Sequence, residues 1–184
     1  MNTCAGWSAP DLHAHCMRTW LFAALFAERD RVRYDEELLF LACVLHDLGL
    51  TDAHDGRDPT AACFAVEGAR AAHAFVRERG EPEERARTVA EAISLHLNIT
   101  VPARLGVEAS LLSKGATLDV VGRRLEQLSR QAVSEVVGRW PRDGFTGFIV
   151  PAMERQARTR PQSRSALLDR LGFGALVRGK PLDR

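Results

Sequence analysis

An apolar run, Leu38–Leu45, leads directly into the ionisable pair His46-Asp47. A helix that is apolar on every face has to be surrounded by other helices, because no side of it suits water. The neighbouring stretches are rich in Ala, Leu, Arg and Glu, their apolar positions recur three and four residues apart, and strand-like alternation is scarce. The sequence therefore predicts an all-α bundle with this helix in its core.

The same periodicity predicts the remaining elements of a single helical domain. With 184 residues, 46% of them apolar, the chain can bury a sizeable core. We expect a domain over residues 1–172 and, where Gly, Pro and basic residues recur, a loosely ordered tail over 173–184. The expected helices cover about 11–30, 35–48, 60–79, 82–96, 108–116, 125–137 and 145–157, with 118–122 at the end of the fifth or in the turn after it.

Charge and cysteine usage restrict the partners and the compartment. Lys and Arg total 25 against 24 Asp and Glu, a balance that gives no global field to attract nucleic acid or an anionic membrane. The longest apolar run is far shorter than the roughly 20 residues that span a bilayer, and residues 1–10 do not resemble a secretory leader. The four cysteines lack a C-x-x-C spacing, so reduced thiols are expected. These observations predict a soluble cytoplasmic protein that acts on a small molecule, without nucleic-acid or membrane partners.

Two His-Asp pairs occur in the chain, and their surroundings distinguish them. His46-Asp47 ends the buried helix, where two ionisable side chains incur a large desolvation cost unless a metal or hydrogen-bond partners compensate them. His54-Asp55 lies in a polar loop in which water satisfies both groups. The first pair is therefore the candidate functional site.

His15 is expected to lie at nearly the same level as His46. If the first two helices form an antiparallel hairpin, His15 lies about 17 residues before the turn and His46 about 13 after it, which differ by only about 6 Å in height. The two imidazoles could share one ligand. Taken alone, His15 is better explained as a partly exposed residue near a helix start.

These residues resemble the HD-domain superfamily of metal-dependent hydrolases. The similarity rests on H-C-M-R at 15–18, L-A-C-V-L-H-D-L-G-L-T at 41–51 and A-T-L-D-V-V-G at 116–122. The resemblance implies that the metal ligands are His15, His46, Asp47 and Asp119. Asp119 enters on the resemblance alone, because the hairpin geometry does not place it.

The resemblance also implies that the site holds a single metal ion and that the chain is most similar to one particular branch of the superfamily. Binuclear relatives carry H-x-x-x-G in the third helix, whereas this chain has Phe64 at that position, so one divalent ion is expected. Two imidazoles and two carboxylates suit Zn²⁺, the first expectation, and also Fe²⁺ or Mn²⁺. E-G-A at 67–69, A-I-S-L-H at 92–96 and, more weakly, W-P-R at 140–142 and R-P at 160–161 are similar to the cyanamide hydratase branch.

That branch implies addition of activated water to a nitrile, which yields an amide. Motif position then makes Glu67 and His96 the candidates for proton transfer, with Arg18 or Thr51 orienting the substrate. For His96, a structural role in the core is an equally good interpretation.

Two other functions stay open, a phosphohydrolase of a nucleotide or other phosphate ester and a non-catalytic metal-binding module. Near the motif only Arg18, Arg57 and Arg70 could bind phosphate, which favours an uncharged substrate. Phe145, Phe148 and Ile149 on one helix would suit a homodimer contact, and core packing explains them equally well.

Overall fold

A computed structural model describes residues 10–56, 61–179 and 182, and this part of the chain is helical without strands. Short 3₁₀ turns lie at Leu48–Leu50, Ala103–Leu105 and Leu125–Gln127. The α-helices, in chain order, are α1 (Pro10–Asp30), α2 (Glu36–Leu45), α3 (Phe64–Glu78), α4 (Glu83–Leu95), α5 (Val107–Val121), α6 (Arg130–Arg139), α7 (Phe145–Thr159), α8 (Arg164–Arg170) and α9 (Phe173–Arg178). The expected all-α fold is confirmed.

The core helix α2 begins at a polar cap and ends at the His-Asp pair. The Asp35 side chain accepts a hydrogen bond from the backbone N–H of Leu38, which satisfies one of the free donors of the first turn. His46 follows the last residue of the helix, where it meets His15 near the start of α1. The first two helices are therefore antiparallel, as the hairpin argument required.

Helix α5 packs antiparallel against α1 at close range. Asp119, near the end of α5, meets His15, whereas Lys114 donates to Asp30 at the opposite end of α1. The approach is closest at Gly115, where an added Cβ would lie 2.2 Å from the carbonyl oxygen of Thr19. Only a residue without a side chain permits this spacing, which brings both helices to the site.

A second close approach holds the turn that carries the His-Asp pair. A Cβ on Gly49 would lie 2.0 Å from the carbonyl oxygen of Phe64, at the start of α3. Helices α3 and α4 pack against each other as a second hairpin, and His96 follows the last residue of α4. The turn after α2 is thus pressed against α3, with the end of α4 nearby.

The C-terminal third forms a second apolar cluster on the site side of the bundle. Its buried members include Phe64 from α3, Phe145 and Ile149 from α7, and Val177 from α9. Phe148 is half-buried and packs against them. The structure therefore supports core packing as the role of Phe145, Phe148 and Ile149. A homodimer remains an expectation, but these residues would not form its contact.

Several boundaries differ from those expected. Helix α5 continues to Val121, so Asp119 lies within the helix, and Gly122 ends it in the left-handed conformation. The segment expected to be one helix over 125–137 is divided, because Ser129 caps a new helix that begins at Arg130. Helix α8 was not expected.

The segment after residue 172 also differs from the expected loose tail. It forms α9, whose Val177 is fully buried against the second cluster, because Val177 and Phe173 supply an apolar face. Residues 1–9 of the expected domain and residues 180, 181, 183 and 184 of the expected tail lie outside the described residues.

Two further observations concern the cysteines and membranes. Cys16, Cys43 and Cys63 are buried free thiols, and Cys4 lies outside the described residues. No helix among the described segments combines the length and apolar character needed to cross a bilayer.

Replacing Gly115 by alanine tests the close packing of α1 on α5. We expect Gly115→Ala to lower the free energy of unfolding by about 3 kcal/mol, since overpacking typically costs about 1–3 kcal/mol and the clash is with backbone. Gly138→Ala in α6 is the matched control, because its added Cβ meets none of the described residues within 4 Å and the change should be neutral or stabilising by up to about 1 kcal/mol. Urea denaturation measures both, and equal stability of the two variants would contradict the packing.

Candidate metal centre

Three buried side chains from two helix ends meet at one point. His15 comes from the first turns of α1, and His46 and Asp47 follow α2. The Nε2 atoms of the two imidazoles are 3.2 Å apart, and the Asp47 carboxylate oxygen Oδ2 is 3.6 Å from Nε2 of His15 and 3.3 Å from Nε2 of His46. All three residues are at least 96% buried.

Each imidazole is oriented by an acceptor behind it. Nδ1 of His46 donates to the carbonyl oxygen of Cys43 at 2.7 Å, and Nδ1 of His15 faces the carboxylate oxygen Oδ2 of Asp119 at 2.6 Å. Because a carbonyl or carboxylate oxygen only accepts, the proton of each neutral ring lies on Nδ1. Both Nε2 lone pairs therefore point toward each other and toward Asp47.

Such a set of donors fits a divalent cation. Two lone pairs and a carboxylate at these distances repel one another unless positive charge lies between them, and outward hydrogen bonds of this kind are typical of metal-binding histidines. Ligands at about 2.0 Å from one tetrahedral ion lie about 3.3 Å apart, close to the separations of 3.2, 3.3 and 3.6 Å. Among the described residues, this is the group of His, Cys, Asp and Glu side chains that could hold an ion.

The electrostatics of the pair also favour positive charge at this point. Burial opposes ionisation of Asp47, yet the adjacent His46 and the nearby His96 hold the pKa of its carboxyl well below the ordinary range. Burial likewise disfavours a charged His46, but the Asp47 carboxylate raises the pKa of that imidazole well above its usual value. For His15, burial outweighs its acidic neighbours and lowers the pKa.

Asp119 lies behind His15, outside the group of three converging donors. Its carboxylate accepts from Nε and Nη2 of Arg18 at 2.8 and 3.0 Å, and also from Arg142. Burial would raise the pKa of Asp119, but His15 and Arg18 hold it far below the ordinary value. In this arrangement Asp119 orients His15, and its expected role as a direct ligand remains a prediction.

Arg18 links three parts of the chain to this carboxylate. The side chain is fully buried in α1, binds Asp119 on α5, and donates through Nη1 to the carbonyl oxygens of Trp140 and Pro141 at 3.1 and 2.7 Å. Arg142 was not among the predicted site residues, although the W-P-R motif that contains it could have indicated it. Phe145 was also missed; its ring stacks on His15 with centroids 4.6 Å apart.

Of the four residues expected to take part in catalysis, His96 alone lines the cavity next to the three donors. Its Nδ1 donates to the carbonyl oxygen of Ile93 at 2.6 Å, and its Nε2 faces Asp47, with Oδ1 3.5 Å away. The ring of Phe64 packs edge-on against it at 5.7 Å. Phe64 thus occupies space beside His96, which agrees with the single ion expected from its position.

Glu67 and Thr51 are engaged elsewhere. The Glu67 carboxylate pairs with Nη2 of Arg160 at 2.5 Å and accepts from the backbone N–H of Gly56 at 3.3 Å. The Thr51 hydroxyl donates to the carbonyl oxygen of Leu48 at 2.7 Å, within the turn after α2. Like Arg18, both are buried but do not line the cavity.

A cavity of about 320 Å³ opens onto His15, His46, Asp47 and His96. Its other walls come from α3, the segment after α4, and helices α5, α7, α8 and α9. Most of these walls are aliphatic or aromatic side chains, among them Phe64, Leu97, Ile99, Val120, Val121, Ile149, Met153, Leu168, Leu171, Phe173 and Leu176. None of these residues was predicted as a cavity wall, and Phe173 and Leu176 lie in the segment that was expected to be a loosely ordered tail.

The sequence profile of the HD domain matches residues 12–142, which include every element that supplies the three donors, His96 and Asp119. The chain belongs to the HD domain family. The expected fold family is therefore confirmed, and the HD domain is a fold of metal-dependent hydrolases.

Two curated relatives agree with the expected branch of the HD family. The chain is 24% identical over 135 residues to Cyanamide hydratase DDI2 of Saccharomyces cerevisiae, and equally to Cyanamide hydratase DDI3 of the same organism. Each alignment covers 73% of this chain and 59% of the relative. The chain thus spans less than two thirds of the length of these relatives.

Loss of the Asp47 charge should abolish tight metal binding. We expect Asp47→Asn to weaken Zn²⁺ binding more than about 100-fold, because even the partners behind metal ligands contribute about 10–100-fold. His73→Gln is the control, since His73 is half-buried on α3, away from the three donors, and pairs with Glu83. Isothermal titration of metal-free protein measures both, and wild-type affinity in Asp47→Asn would rule out this centre.

Removing Arg18 should destabilise the fold, because it strips a buried carboxylate of its main partner. We expect Arg18→Met to lower the free energy of unfolding by about 3 kcal/mol or more. Arg18→Lys should restore little of it, since an ammonium cannot reproduce the two-pronged contact with Asp119. Arg87→Met, on the exposed face of α4, should change stability by less than about 0.5 kcal/mol in the same urea titration. If Arg18→Met lowered the free energy of unfolding no more than Arg87→Met does, the role of Arg18 in holding Asp119 would be contradicted.

Proposed function

We propose that this HD-domain chain is a hydratase that adds water across the C≡N bond of a small nitrile and releases the amide. In the overall step, R–C≡N and H₂O give R–C(=O)NH₂: the water oxygen bonds to carbon, and both water protons reach nitrogen. The observation that carries the proposal is the group of three converging donors, His15, His46 and Asp47, at the floor of an apolar cavity, with His96 in its wall.

The proposed cofactor is one divalent ion, with Zn²⁺ as the first choice. His15, His46 and Asp47 would hold it, and Asp119 is proposed either as a fourth ligand or as the group that orients His15. A bound ion of this kind supplies Lewis-acid chemistry, which lowers the pKa of water from about 15.7 to about 7. The backbone carbonyl of Cys43 and the Asp119 carboxylate keep both Nε2 atoms aimed at that point.

His96 is the proposed proton carrier. Its Nδ1 is occupied by the carbonyl oxygen of Ile93, so only Nε2 is free to exchange a proton in the cavity. A positioned imidazole can take a proton from the attacking water and deliver it to the nitrile nitrogen. Glu67 supports this role less well, because its carboxylate is paired with Arg160 outside the cavity.

Arg18 and Thr51 act through other residues in this proposal. Arg18 fixes Asp119, which in turn contacts His15, and Thr51 stabilises the turn that follows the His-Asp pair. Both are positioning residues here, since their polar groups are engaged away from the cavity.

A neutral substrate is favoured over a phosphate ester. Phosphate recognition usually requires clustered cations, and the described cavity walls contain one arginine, Arg123, whose Nη1 donates to the carbonyl oxygen of Ile99 at 2.7 Å. The proposal accordingly includes a small-molecule substrate and no nucleic-acid or membrane partner.

A substrate panel separates the proposed activity from its rivals. Metal-loaded protein is incubated with nitriles, cyanamide and nucleotides, and amide, urea and inorganic phosphate are measured. We expect amide or urea formation, with His96→Gln lowering kcat about 100-fold or more while bound metal is unchanged. His73→Gln should retain wild-type turnover.

Other outcomes of the panel would overturn the hydratase proposal. Phosphate release without amide formation would indicate a phosphohydrolase. Stoichiometric metal without turnover of any compound would indicate a non-catalytic metal-binding module.

A further inference from the structure

We propose that the cavity selects nitriles with an apolar body, an alkyl or aryl group larger than a methyl, over cyanamide and over charged nitriles. This inference rests on the proposed hydratase function and adds the substrate class to it. Three observations support the inference: the mostly apolar character of the cavity walls, the volume of the cavity and the apolar residues at its opening.

The ionisable groups that could act on a substrate lie together in the cavity. His15, His46, Asp47 and His96 are buried at its inner end, where the reacting group would lie. The remaining walls are mostly aliphatic and aromatic, and their polar members are Asn98, Thr117 and Arg123. A substrate that fits these walls has one compact polar group and a hydrocarbon body.

The size of the cavity exceeds what a very small substrate needs. Its volume of about 320 Å³ lies at the lower end of the range of about 300–1,000 Å³ for small-molecule sites. Cyanamide has three non-hydrogen atoms and is polar at both ends, so it would leave the apolar walls uncovered. An alkyl or aryl nitrile would bury its body against them and gain affinity with each carbon.

The mouth of the cavity is apolar as well. Ile99, Leu171 and Leu176 line the cavity, yet 56%, 58% and 58% of their surfaces are exposed, so they lie where it opens to solvent. Large exposed aliphatic side chains gathered at one opening suit the entry of an apolar molecule.

The few charged side chains in the cavity walls also favour an uncharged substrate body. Apart from Asp47 and the histidines at the inner end, Arg123 is the charged side chain in the described walls, and it is bonded to the backbone of Ile99. A charged group on the substrate body would lose its hydration against aliphatic walls without a partner in return.

Binding of the product amides tests the selection without requiring turnover. The probes are acetamide, butanamide, hexanamide and benzamide, titrated into the metal-loaded chain by calorimetry or ligand-observed NMR. Adipamate, which carries a carboxylate at the far end of its chain, and 6-aminohexanamide are the charged controls. We expect Kd to fall about fourfold per added methylene until the cavity is filled. Both charged compounds should bind more weakly than hexanamide.

Variants at the mouth of the cavity test whether its apolar residues cause the preference for longer amides. Leu171→Asp and Leu176→Asp should weaken hexanamide about tenfold and leave acetamide nearly unchanged. Leu105→Asp is the matched control, because Leu105 is 42% exposed but does not line the cavity, and it should bind both amides like the wild type.

A larger side chain in the cavity wall tests whether the volume of the cavity limits the length of the amide that it binds. Val121→Phe should shorten the longest amide that still gains affinity, whereas Val107→Phe, on the same helix but away from the cavity, should not. An affinity series that is flat with chain length, and unaffected by these variants, would overturn the inference.

The two proposals fail in different ways. A chain-length gradient in amide binding without hydration of any nitrile would refute the hydratase and leave the apolar selection standing. Equal kcat/KM for cyanamide and hexanenitrile would refute the selection and leave the hydratase standing.

Discussion

The cost of burying His46 and Asp47 at the end of an apolar helix governs the arrangement around them. An ionised carboxylate removed from water needs partners that return several kcal/mol. Here Asp47 is surrounded by three imidazoles, those of His46, of His15 from α1 and of His96 after α4. Each ring has a backbone or carboxylate acceptor on its outer nitrogen, so its inner nitrogen can share a proton or a metal ion with the carboxylate. The helices are positioned to deliver these rings, and the glycine contacts at Gly49 and Gly115 allow the necessary approach.

A second layer of charge stabilises the first. Asp119 is buried behind His15 and is itself held by Arg18 and Arg142, which join α1 and α5 to the segment before α7. This layer couples the domain core to the C-terminal cluster, since Phe145 at the start of α7 stacks on His15. The same helix then contributes Ile149 and Met153 to the cavity wall. The ligand donors and the substrate walls are thus parts of one packed unit.

The sequence was informative wherever periodicity and burial constrained the answer. A helix that is apolar on all sides has to be central, so the fold class and the buried His46-Asp47 pair followed from simple arguments. A short turn sets the level of His15 against His46, but His15 was predicted as a ligand only from this level and the family motif together. Asp119 required the family resemblance, because its contact with His15 joins residues 104 positions apart. Motif position could not reveal that Glu67 would pair with Arg160, a partner 93 residues away. The outer cavity wall was missed because α8 and α9 are short helices of seven and six residues, and their apolar side chains form a surface only after they pack on α7.

The central claim is that the three converging donors hold one divalent ion through nitrogen and oxygen alone. X-ray absorption spectroscopy of the Zn²⁺-loaded chain, with elemental analysis of the same sample, tests it most directly. The account predicts one zinc per chain, a first shell of nitrogen and oxygen, and outer-shell scattering from two imidazoles. Cys16 lies on the far side of His46, with Sγ 3.9 Å from Nδ1, and should contribute no sulfur. Substoichiometric zinc, or a sulfur ligand at about 2.3 Å, would contradict the account.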